Sequence, residues 1–192
     1  MNKMKAGLVA AAMLASFSGA ALAEGSFYGA LDVGQSKYPG ACDDMPAGVS
    51  CSETDTMFRG SIGYPINPNL AVEASYADYG ASEASGFGAT ASVAASGFQF
   101  SAVGSLPISD VFSLTGKLGV ALTKGELSGT GFVTEDDSST TVAYGVGVRY
   151  NISKTVAVRA QYESLGEISA SSTDPTAKGD VDFLTAGVIF SF

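Results

Sequence analysis

Histidine is absent from all 192 residues. That removes Ser-His-Asp and Cys-His nucleophilic machinery and every histidine-ligated metal site. Cysteine occurs only at Cys42 and Cys51, too few to complete a thiolate metal site without histidine. No carboxylate pair is singled out by spacing, so the chain reads as non-enzymatic, with no catalytic residue, cofactor or metal. Charge is scarce as well: 15% of residues are charged, against about a quarter in ordinary soluble domains. Positive charge is scarcest, with 10 Lys and Arg facing 19 Asp and Glu and a net charge of −9. Nucleic acid is therefore not an expected partner, and anionic headgroups are not drawn in by simple attraction. Past the first 23 residues, no stretch approaches the roughly 18 consecutive apolar residues of a membrane-spanning helix. Yet 46% of the residues are hydrophobic.

The opening stretch "MNKMKAGLVAAAMLASFSGAALA" accounts for part of that. Lys3 and Lys5 make a basic start, Ala6 to Ala15 a short apolar run, and Ala21-Leu22-Ala23 a small-residue cleavage signature. The run is too short and alanine-rich to span a bilayer well. Residues 1–23 are read as a cleaved secretory signal, and 24–192 as one domain long enough to bury a core. Loss of two lysines leaves eight basic residues and moves the net charge from −9 to −11. In an exported chain, Cys42 and Cys51 read as a disulfide closing a small loop, a link of about 2–3 kcal/mol in the entropic account.

The remainder alternates with period two. In "VFSLTGKLGVALT", Phe112, Leu114, Leu118, Val120 and Leu122 share one face, and Ser113, Thr115, Lys117, Gly119 and Thr123 the other. Comparable runs predict eight strands near 26–36, 56–66, 69–80, 92–106, 111–124, 140–151, 155–166 and 181–192, each long enough to cross a bilayer at a tilt. Three connections are tight, at 67–69, 107–110 and 151–154. Four are long, at 37–55, 81–91, 125–139 and 167–180. Short and long alternate strictly, so a meander gathers all tight turns at one end, the asymmetry of outer-membrane barrels.

A secreted soluble barrel or sandwich also alternates. Three features favour lipid. The polar face is mostly Gly, Ala, Ser and Thr, as a narrow lumen requires. Tyr64, Tyr76, Tyr150, Tyr162, Phe190 and Phe192 gather near strand ends on the apolar face, as interfacial aromatics do. Five or six apolar residues per strand are also more than so small an interior holds. The predicted fold is all-β: an eight-stranded antiparallel up-and-down transmembrane β-barrel. The last strand, "GVIFSF" (187–192), then pairs with the first, and no edge remains.

Three stretches carry a resemblance. "GYPINPNLAVEASYADYG" (63–80), with Asn67-Pro68, Glu73, Tyr76 and Asp78-Tyr79-Gly80, resembles a hairpin of the OmpA transmembrane domain family. "LPISDVFSLTGKLGVAL" (106–122) and "GVGVRYNISKTVAVRAQYESL" (145–165) resemble two further strand–turn–strand units. The resemblance covers 24–192. It implies an eight-stranded barrel in the Gram-negative outer membrane; as a departure from longer members, a chain that stops after strand eight is expected to have no periplasmic peptidoglycan-binding domain. It also implies that Phe190 and Phe192 form a C-terminal signal read by the barrel-assembly machinery. Arg149 stands where the best-known members carry an acidic lumen residue, so the family's interior ion pairs are not carried over unchanged.

Alternation places Asp32, Arg59, Glu73, Lys117, Arg149, Arg159 and Glu163 on the lumen face. Charges there must be paired or wet. A gate or trickle pore is one reading; a packed polar network is favoured by the narrowness of eight strands. The loops carry Asp43, Asp44, Glu53, Glu135-Asp136-Asp137, Asp174 and Asp180. They read as solvated external tips, since "EDDSS" lacks calcium-loop spacing. The Ala/Gly/Ser stretch 81–97 reads as a flexible loop entering a strand. The expected role is structural, in envelope integrity. Surface contact with an unidentified external ligand is the alternative, and a narrow small-solute pore the third. Outer-membrane lipid, lipopolysaccharide and the assembly machinery are the expected partners of a monomer.

Overall fold

The computed structural model describes residues 27–40, 42, 49–86, 89–129, 135–169 and 178–192. The expected signal at 1–23, together with Asp43, Asp44 and Asp174, lies outside them. The strands are β1 (Tyr28–Lys37), β2 (Ser50–Ser52), β3 (Thr54–Asn67), β4 (Leu70–Gly86), β5 (Ala89–Pro107), β6 (Phe112–Gly129), β7 (Glu135–Asn151), β8 (Val156–Ser169) and β9 (Lys178–Ser191). No helix occurs among the described residues. All but β2 form one antiparallel barrel in meander order, closed by β9 on β1 from Tyr28↔Ser191 to Lys37↔Asp182. "GVIFSF" is thus paired on both sides, with β1 and with β8.

The tight turns are built locally. Asn67 Oδ1 accepts the Asn69 amide at 2.8 Å. The other two share an Ile-Ser design: Ser109 Oγ accepts the Phe112 amide at 3.1 Å, and Ser153 Oγ the Val156 amide at 3.0 Å. Such hydroxyls replace the backbone acceptor that a reversing chain loses.

The long connections differ from expectation. Strand pairing continues through most of 81–91, from Ala81↔Ala94 to Gly86↔Ala89, and β6 pairs β7 as far as Leu127↔Glu135. Most of 81–97 is therefore strand rather than flexible loop. Backbone hydrogen bonds are indifferent to side-chain type, so a register set in the barrel propagates into Ala/Gly/Ser sequence. A bulge at Asp78/Ala81 marks the change. There Gly80 has φ +72°, Asp78 Oδ1 accepts its amide at 3.0 Å, and Asp55 Oδ2 accepts the Ala81 amide at 2.9 Å.

The first long loop also contains a strand. β2 pairs with the extension of β4, with Cys51 opposite Ala84, and Cys42 and Cys51 are disulfide-bonded with Cα atoms 5.8 Å apart. Three residues contribute too few ladder bonds to hold a strand alone. Replacing both cysteines with serine is expected to raise amide exchange about tenfold at 50–52 and 83–85, leaving the barrel strands protected. Hydrogen exchange in lipid checks this; unchanged protection at 50–52 would show that β2 does not depend on the bridge.

Leu114, Leu118, Val120 and Leu122 are exposed on the outer wall. Tyr64, Tyr76, Tyr150, Tyr162, Phe190 and Phe192 stand on it too, 42–51% exposed. The core is inside. At the long-loop end Tyr38, Met57, Tyr79, Leu165, Val181 and Phe183 pack with four alanines. At the short-turn end Tyr28, Ala30, Ala157 and Ile189 form a second apolar layer. At the short-turn end only Tyr28 and Ile189 are large, so the small-residue lumen predicted from the polar face is corrected at the long-loop end, where large side chains fill it. Their parity exposes them: Met57 is two residues from Arg59, Leu165 two from Glu163, and Phe183 two from Thr185.

Candidate functional site

Between the two apolar layers lie six charges. Asp32 on β1 is directly opposite Arg59 on β3. Glu73 comes from β4, Lys117 from β6, and Arg159 and Glu163 from β8. Arg59 bonds Asp32 at 3.1 Å and also Glu163. Lys117 lies 3.3 Å from Glu163 and 2.8 Å from Glu73. Arg159 lies 2.6 Å from both Glu73 and Asp32. Each acid touches two bases and each base two acids. The order Asp32–Arg59–Glu163–Lys117–Glu73–Arg159 returns to Asp32, so the charges form a closed alternating ring with no net charge. Every side chain in it is 0–5% exposed.

Neutral groups complete the ring's hydrogen bonding. Arg59 donates to Gln161 Oε1 at 2.8 Å and to Thr185 Oγ1 at 3.4 Å. Arg159 donates to Ser61 Oγ at 3.2 Å, Gln99 Nε2 to Glu163 at 3.2 Å, and the Tyr28 hydroxyl to Glu73 at 3.2 Å. The Arg59 guanidinium also lies 5.6 Å from the Phe183 ring centre, joining the ring to the apolar layer above. Sequence reasoning missed Gln99 and Gln161. Gln161 sits midway between Arg159 and Glu163 on one strand face, so parity alone would have found it.

Arg149 shares the lumen-face parity of these charges, yet the structure separates it from them. Its Nε donates to Asn151 Oδ1 at 2.9 Å, at the short-turn mouth, half-buried. It is directly opposite Arg159 across the β7–β8 ladder. Arg159 already spans Asp32 and Glu73, and like charges placed opposite repel, so the second arginine turns to the mouth.

Chemically, the ring offers no unpaired nucleophile or base. Among the described residues, no group of three or more potential metal ligands comes together. What the ring does is fill the section of the barrel where the lumen would otherwise be open.

The fold recurs in solved outer-membrane barrels. The N-terminal β-barrel domain of Pseudomonas aeruginosa OprF superposes with a TM-score of 0.59 at 15% identity, covering 86% of this chain and 97% of that one. Neisserial surface protein A gives 0.58 at 19% identity, covering 88% and 100%. Ail, the attachment invasion locus protein of Yersinia pestis, gives 0.51 at 21% identity, covering 86% and 98%. No curated protein matches the sequence itself. The sequence does match the outer membrane protein beta-barrel domain family over residues 8–192. With eight antiparallel strands, an apolar outer wall and a ring of buried charges inside, the chain belongs to that family and is an integral barrel of the bacterial outer membrane.

Proposed function

We propose that this protein is a structural element of the outer membrane, a barrel closed to ions that supports envelope integrity. One observation carries the reading: the neutral six-charge ring, buried on all members, is sandwiched between two apolar layers. An eight-stranded interior is about as wide as its side chains, and a hydrated ion path needs unfilled polar space. In planar bilayers the pure protein is expected to give no stable, ion-selective current steps. A deletion strain is expected to become more sensitive to detergent. Stable selective steps from wild-type protein would overturn the closed-barrel reading.

A second reading, surface contact, is supported by the external hairpins. They continue the strand pairing to Gly86↔Ala89 and carry the disulfide-tied β2. Ail has been solved with the heparin analogue sucrose octasulfate. The excess of acid here fits a neutral or cationic partner better than a polysulfate. Trimming 38–54 separates the roles: adhesion should be lost while detergent resistance stays. A trimmed strain that leaks like the deletion strain would remove the support for surface contact. Lipid and lipopolysaccharide around the outer wall, recognition of the strand ending in Phe192 by the assembly machinery, and a monomeric state belong to the same proposal.

A further inference from the structure

We infer that the periplasmic mouth of the barrel binds an organic monoanion with an aliphatic body, a free carboxylate of medium chain length. A cavity of about 640 Å³ opens there, within the range of small-molecule sites. Its wall is mostly apolar, with Tyr28, Leu70, Val103 and Ile189 along it. Its charged side chains are Arg149, Lys154 and Arg159, and no Asp or Glu side chain lines it.

Charge accounting isolates Arg149. Arg159 belongs to the neutral ring. Arg149 stands outside that ring, and Asn151, a neutral acceptor, is its hydrogen-bond partner. Asp110 lines an adjoining depression that shares Arg149, Pro68 and Ser105 with the cavity, and it makes no ion pair with Arg149. Phe192 also lines the cavity. A net positive charge thus remains over an apolar chamber in a strongly acidic protein. The wall also contains the Thr115 hydroxyl, buried and without a hydrogen-bond partner. A guanidinium fork and an ammonium suit a carboxylate head, and the aliphatic wall suits its tail. An inorganic anion would leave that wall unused.

The test is a titration of the whole protein in zwitterionic-lipid nanodiscs, following the Arg149 side-chain N–H and the Thr115 and Lys154 amides by NMR. Hexanoate is expected to shift them saturably, with acetate and hexan-1-ol at least about tenfold weaker, since a charged hydrogen bond and apolar burial each contribute about that factor. Arg149→Gln should weaken hexanoate about tenfold, and Lys154→Gln, in an exposed turn, about threefold. Hexan-1-ol matching hexanoate would show apolar partitioning only and overturn the inference. So would acetate matching hexanoate, or both variants binding like wild type. Should Arg149→Gln fail to assemble, Lys154→Gln decides alone.

Discussion

Replacing Arg59 with methionine is expected to destabilise the folded barrel by about 3–5 kcal/mol, the usual effect of stripping one partner from buried ion pairs. Arg59 links Asp32 and Glu163, so its loss opens the ring at two neighbouring contacts. Three buried acids then face two bases. Asp32 keeps Arg159 and Glu163 keeps Lys117, but each loses its shared charge while its own side chain is fully buried. Urea unfolding in lipid vesicles reads the loss as a midpoint lowered by about 2 M. The double variant Arg59→Met with Glu163→Leu separates charge balance from packing. It leaves Asp32, Arg159, Glu73 and Lys117, two of each sign and still in contact. It is expected to recover at least about half of the loss, because neighbouring buried charges do not add independently. A double variant as unstable as the sum of its singles would show that the six residues do not act as one electrostatic unit.

Valine at position 187 is expected to abolish assembly, although valine is a better strand former than glycine. A Cβ on Gly187 would lie 2.2 Å from Asp32 Oδ1 and 2.4 Å from the Leu31 carbonyl oxygen. The backbone contact cannot yield, and the carboxylate can yield only by leaving Arg59 and Arg159. Overpacking of about 1–3 kcal/mol is thus added to damage of the ring. Gly116→Val is the control: it faces outward and a Cβ there meets nothing within 4 Å. The two variants should separate on unboiled gels, Gly116→Val migrating as a folded barrel and Gly187→Val as an unfolded chain. Equal folding of both would mean that the lumen at Gly187 is roomier than the geometry indicates.

Both expectations begin from parity, which is local. Successive side chains alternate across a strand, so reading from Asp32 or Arg159 already assigns lumen and lipid faces. The same alternation gives eight crossings, and the strict order of tight and long connections gives the meander and its two unlike ends. Closure of "GVIFSF" onto β1 also follows, since an apolar strand with a free edge has no stable place in lipid.

What parity cannot give is height. Which charges meet across the lumen depends on strand tilt and stagger, and these are properties of the closed barrel. Arg159 and Asp32 touch across 127 residues of sequence, and Arg59 and Glu163 across 104. A shift of one strand by two residues would keep every face assignment and break the ring. Arg149 shows the limit most clearly: it has the right charge and parity, yet its place opposite Arg159 sends it to the mouth. The sequence by itself determined a lipid-facing eight-stranded barrel with charges inside. The tertiary structure alone decided that six of them close a neutral ring and a seventh does not, because that choice is made by register around the barrel.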